Sequence, residues 1–159
     1  MSEAADLTLG EGIHRDPAGT MALSRRAAPM KILLVDDDEL FLEFASAMLS
    51  ADGAAVETCA SAAEAMAALH LDDEAKPARD FDAVLIDIVM PEVSGTELCS
   101  LIRGHGGYSD LPVIMISATR DMSLIDQALT AGGSSYIQKP IQAATFAAEI
   151  RQKIAEARS

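Results

Sequence analysis

Tryptophan is absent from this chain of 159 residues, and there are only two tyrosines and four phenylalanines. Whatever core it builds must be filled by aliphatic side chains, methionine and alanine. Half of the residues are hydrophobic, which suits one domain with a proper interior. Cysteine is scarce as well. Cys59 and Cys99 form no CxxC pair, which leaves no disulfide framework or thiolate metal site, and both read as buried, reduced thiols. Basic residues number 12 against 25 acidic ones, for a net charge of −13. A nucleic-acid or anionic-membrane surface needs clustered Lys and Arg, so neither partner is expected. No apolar run reaches the length of a membrane span, and none follows a basic N-terminal start. The expected location is cytoplasmic. No GxxxxGK[ST] loop exists, so nucleotide binding of the P-loop kind has no support.

What is present alternates regularly. Residues 1–29 have no sustained apolar period and read as a flexible tail, with Met21 and Met30 as alternative starts. From Met30 onward, "KILLV" (31–35) predicts a strand. Leu40, Phe41, Phe44, Met48 and Leu49 then recur at helical spacing, with Asp38 as N-cap and Gly53 as the stop. "AAVETC" (54–59) predicts a second strand, and Ser61 the cap of an Ala-rich helix carrying Ala65, Met66 and Leu69. The polar stretch "DDEAKPARD" (72–80) reads as a loop before a third strand, "FDAVLI" (81–86). A helix follows around 95–103, and "GHGGYSD" breaks the pattern. "LPVIMI" (111–116) predicts the fourth strand, ahead of a helix with Met122, Ile125, Ala128 and Leu129 turned inward. "AGG" (131–133) ends that helix, "SSYIQ" makes a fifth short strand, and a last helix carries Phe146, Ile150 and Ile154 on one stripe. Five alternations predict an α/β domain whose parallel sheet is covered on both faces.

Ligands of such sheets bind beyond the carboxyl ends of the strands. The polar residues found there are Asp36 and Asp37 after the first strand, Asp87 after the third, Ser117 after the fourth and Lys139 after the fifth. Crowded carboxylates cost free energy unless a proton or a cation compensates them. Three of them suit a hard divalent cation such as Mg²⁺, and a carboxylate can also act as a nucleophile towards phosphorus. Lys139 and Ser117 could supply a positive charge and a hydrogen bond to phosphoryl oxygens. The set reads as a phosphoryl acceptor rather than a nucleotide hydrolase.

"ILLVDDD", "VLIDIVMPEVSG", "VIMISA" and "YIQKP" stand in order at workable spacing. On these motifs the chain from about Met30 to Ala157 resembles the response-regulator receiver domain, the CheY-like family. The resemblance implies a doubly wound, flavodoxin-like sheet of five parallel strands with five helices, and a receiver domain over residues 30–158. It implies Asp87 as phosphoacceptor, Asp37 as a direct and Asp36 as a water-mediated ligand of Mg²⁺, and the backbone carbonyl of Val89 as a further ligand. Lys139, joined to Pro140 by a cis peptide, would hold a phosphoryl oxygen. Ser117 would swing towards the phosphate while Tyr136 turns inward, reshaping the face built from the fourth helix, fifth strand and fifth helix. From the residues themselves, Tyr136 is expected to pack in part against the last helix.

The implied function is that of a single-domain response regulator. It would take its phosphoryl group from a histidine kinase or a histidine phosphotransfer protein, then bind a downstream protein or pass the group on. It would work as a monomer or a phosphorylation-dependent dimer, and would catalyse only its own phosphorylation and dephosphorylation. Two other readings stand beside this one: a receiver-shaped interaction module independent of phosphorylation, and the receiver portion of a larger regulator. A haloacid-dehalogenase-type hydrolase would need a second Asp two residues after the nucleophile, where this chain has Val89. That apolar residue cannot orient an attacking water, which predicts a long-lived phosphoryl state. The 72–80 loop reads as a tolerated surface insertion away from the site.

Overall fold

The computed structural model describes residues 28–73 and 75–159. The expected tail therefore lies almost wholly outside the described residues. Five strands, β1 (Lys31–Val35), β2 (Ala55–Cys59), β3 (Ala83–Ile86), β4 (Val113–Ser117) and β5 (Ser135–Gln138), form one sheet. All its neighbouring pairs are parallel, in the order β2-β1-β3-β4-β5. Helices α1 (Glu39–Ala51), α2 (Ala62–Ala68), α3 (Gly95–Arg103), α4 (Met122–Thr130) and α5 (Phe146–Arg158) cover its two faces.

Alternation along β1 sorts the core. Leu33 and Val35 point into a cluster with α2, α3 and α4, while Ile32 and Leu34 point into a second cluster with α1 and α5. Strands buried on both sides are apolar at nearly every position, which is why β1, β3 and β4 read as unbroken hydrophobic runs. Each such side chain removed from water stabilises the fold by about 1.5–3 kcal/mol.

The helix faces depart from expectation at two places. In α1 the buried stripe is Leu42, Ala45 and Leu49, with Phe41 and Met48 on its flank, whereas Leu40 and Phe44 are 77% and 49% exposed. At about 100° per residue, positions 40 and 44 fall on the side away from Leu42. In α4, Ile125 and Ala128 are buried but Met122 and Leu129 are exposed. Leu124 extends that stripe on the other flank. The Phe146, Ile150 and Ile154 stripe of α5 is buried as expected.

Strand starts lie one end of the sheet away from the acidic residues, and they are tied together there. The "GHGGYSD" break contains a short 3-10 turn, Gly106–Tyr108, whose tyrosine is fully buried. The Tyr108 hydroxyl donates to the Leu69 carbonyl at 2.6 Å and accepts from the Arg79 backbone N–H at 2.7 Å. Arg79 continues to the Ala68 carbonyl and to Glu57. The insertion is thus fastened to the core at its C-terminal end rather than loosely draped over it. Asp82 joins the two ends of the domain, accepting from the Lys31 backbone N–H at 2.7 Å and from the Arg158 guanidinium at 3.3 Å.

Candidate phosphoacceptor site

The carboxyl ends of β1, β3, β4 and β5 converge because parallel pairing sets their registers together. The Asp36 backbone N–H donates to the Cys59 carbonyl and that of Asp87 to the Val35 carbonyl, so both acids continue the hydrogen-bond ladder just past the strands. The Lys139 N–H donates to the Ser117 carbonyl in the same way. Ser117 is the last residue of β4 rather than the first after it. The Lys139–Pro140 peptide is cis. Behind Asp87, α3 begins at Gly95 with a full capping box: the Ser94 hydroxyl accepts from the Glu97 N–H, and the Glu97 carboxylate accepts from the Ser94 N–H.

Asp36, Asp87 and Ser117 are buried, and Asp37 is exposed beside them. Carboxylate oxygens of Asp36, Asp37 and Asp87 all lie within 4.8 Å of one another. Among the described residues, one cation faces this cluster. Lys139 Nζ donates to Asp36 Oδ2 at 2.7 Å and stands 3.6 Å from Asp87 Oδ2. Asp36 Oδ1 accepts from the Asp38 N–H at 2.9 Å, and the Asp38 carboxylate in turn caps α1. Asp87 Oδ1 accepts from the Ser117 hydroxyl at 2.6 Å and from the Val89 N–H at 3.3 Å.

The electrostatics of the pair are opposed. Burial drives the pKa of Asp36 upward, and the neighbouring charge of Asp87 adds to this. The bonds from Lys139 and Asp38 pull it down without prevailing. Burial alone would lower the pKa of Lys139, but the bond to Asp36 and the charge of Asp87 outweigh it and raise it. Lys139 is therefore a firm cation, whereas the charged form of Asp36 is disfavoured chiefly by its burial.

The residues singled out in the sequence are thus brought to the same end of the sheet. Asp36, Asp37, Asp87, Ser117 and Lys139 adjoin directly, and Val89 follows on the loop with its side chain 54% exposed. Tyr136 corrects an expectation. It packs on the α2–α4 side of the sheet and not against α5, because Ile137 takes the α5 side and alternate residues face opposite ways. Its hydroxyl donates towards the carbonyls of Ser117 at 3.2 Å and Thr119 at 3.0 Å. One neighbour escaped sequence reasoning. The ring of Phe41 lies under Lys139 Nζ, 4.1 Å from centroid to nitrogen. Its apolar type made it look like core alone.

Residues 32–151 match the family described as the response regulator receiver domain. Among curated relatives, RcaC of Microchaete diplosiphon is 30% identical over 131 residues, covering 82% of this chain and 19% of that protein. The response regulator MprA of Mycobacterium tuberculosis is 33% identical over 122 residues, covering 77% of this chain and 49% of its own length. The chain thus spans half or less of these relatives. Among solved structures, a CheY-like receiver domain protein from Methanospirillum hungatei superposes with a TM-score of 0.68 at 29% identity, over 81% of this chain and 96% of that one. The receiver domain of a sensor histidine kinase from Pseudomonas aeruginosa, described with magnesium coordinated in its active-site cleft, gives 0.69 at 25% identity, over 80% and 99%. The strand order, the acidic rim and these matches agree: the chain belongs to the response regulator receiver domain family of two-component signalling.

Proposed function

We propose that this chain is a Mg²⁺-dependent phosphorylation switch with Asp87 as its acceptor. The observation that carries the reading is the surroundings of that one carboxylate: the Ser117 hydroxyl on one oxygen, the Lys139 ammonium near the other and two further acids within reach. In the reaction, a carboxylate oxygen of Asp87 attacks phosphorus, forming an O–P bond. The N–P bond of a phosphohistidine breaks, its electron pair stays on the imidazole nitrogen, and solvent supplies the proton. Lys139 and Ser117 stand where they can donate to phosphoryl oxygens as charge shifts during transfer.

The donor set fits a hard divalent cation, since among the described residues three carboxylates sit together with a single ammonium to offset them. Asp36, Asp37, Asp87 and the Val89 backbone carbonyl would hold it. Bound Mg²⁺ supplies positive charge that offsets the acids and the incoming phosphoryl oxygens.

The signal leaves through Ser117. Its hydroxyl already contacts Asp87, and its carbonyl shares Tyr136 with Thr119. Transfer of that hydroxyl to a phosphoryl oxygen would drag residues 117–119 and the tyrosine with it, altering the face of α4, β5 and α5 for a downstream protein. The phosphoryl donors are a histidine kinase or a histidine phosphotransfer protein. Among the described residues no helix is long and apolar enough to cross a membrane.

Intact mass after incubation with acetyl phosphate tests this. One phosphoryl group is expected on the wild type, only with Mg²⁺, and none on Asp87→Asn. With Val89 exposed and apolar beside the acceptor, the adduct should persist after donor removal. No adduct from acetyl phosphate or from a phosphorylated histidine kinase would turn the reading to an interaction module independent of phosphorylation.

A further inference from the structure

We propose that Phe41 is a positioning residue for this transfer, its ring face holding the Lys139 ammonium over the acidic site. The inference rests on Asp87 being the acceptor. Lys139 ends a flexible four-carbon stem that must be ordered before its ammonium can meet a phosphoryl oxygen. Three contacts do this: Asp36 at 2.7 Å, Asp87 at 3.6 Å, and the Phe41 ring at 4.1 Å from its centroid. The first two are charges that a bound cation or an incoming phosphoryl group would compete for. The attraction of an ammonium to the negative face of an aromatic ring is lost to neither.

The ring is itself held from two sides. The Asp38 carboxylate accepts from the N–H groups of Leu40 and Phe41, fixing the first turn of α1. The side chain packs on the α1–α5 core cluster, so it cannot follow the lysine if the lysine strays. Leucine at 41 would fill similar apolar space with no charge distribution facing Lys139. Tyrosine would keep the ring face. These two substitutions separate positioning from packing.

The test compares wild type, Phe41→Leu and Phe41→Tyr by two readouts. By NMR, without Mg²⁺ or donor, the Lys139 ε-methylene protons should be shifted upfield by the ring in wild type and Phe41→Tyr, and not in Phe41→Leu. With acetyl phosphate and saturating Mg²⁺, the rate of phosphoryl incorporation should fall about three- to tenfold in Phe41→Leu and be retained in Phe41→Tyr. Equal rates in wild type and Phe41→Leu would overturn the positioning role. So would a wild-type lysine with no upfield shift. Should Phe41→Leu fail to fold, pentafluorophenylalanine at position 41, which keeps the shape and reverses the face charge, takes its place in the rate comparison. A wild type that takes up no phosphoryl group while its lysine is shifted would overturn the reading of Asp87 and leave the ring contact standing as a structural one only.

Discussion

Asp36 shows how much a single residue can carry. It is buried to 1% exposure, bonded to Lys139 and to the Asp38 backbone, and still titrates above the ordinary value of 3.8. Between 3.8 and that higher folded value, the folded state holds a proton the unfolded chain has lost. Stability therefore declines as pH rises through this window. Lys139 has the same sign in a different window: its pKa is raised above 10.5, so its contribution is complete below that pH and is lost only as pH rises through the folded value. Urea unfolding over a pH series beginning below 3.8 should find Asp36→Asn gaining on the wild type as pH rises. A difference between the two that does not change with pH would contradict this account. At this scale the sequence was most informative where a residue looked out of place, as carboxylates do after four apolar residues. Phe41 and Tyr136 looked ordinary. Which face each presents depends on the phase of its element, and their partners are distant along the chain.

At the scale of elements, the connection from β3 to α3 decides where Asp87 sits. The Gly95 N–H donates to the Ile88 carbonyl, and a Cβ added at this glycine would overlap the Asp87 carbonyl oxygen and crowd the Ile86 side chain. Backbone cannot yield as the end of a flexible side chain can. Gly95→Ala should therefore cost about 3 kcal/mol, read from the urea midpoint. A variant within a few tenths of the wild type would mean that the helix start can slide without loss. Element type and order were readable from the apolar periods, since runs such as "VLI" and "VIMI" have no other reading once helices flank them. The inward faces of α1 and α4 were less legible. Leu40, Phe44, Met122 and Leu129 are apolar yet exposed, and apolar residues are common on protein surfaces.

Across the whole molecule, the two cysteines report on cooperativity. Cys59 on β2 and Cys99 on α3 are both buried in the same core cluster, and burial pushes the Cys59 thiol up to about 11 and that of Cys99 upward as well. Neither should react with iodoacetamide in the folded protein at neutral pH, and both should be alkylated together at a rate set by unfolding. Alkylation of Cys59 alone would mark β2 as an edge that opens independently. The fold as a whole was legible because each element declares itself locally. The buried Tyr108 was not, since what holds it is a carbonyl 39 residues away at Leu69 and an N–H 29 residues away at Arg79. A similar long-range tie has a further consequence. Because Asp82 grips both Lys31 and Arg158, the domain's entry and exit share one anchorage at the strand starts, while the aspartates crowd the opposite rim. Cargo joined at either boundary of the domain, before Lys31 or after Arg158, would hang from that common stem like a flag from a pole, leaving the acidic rim clear.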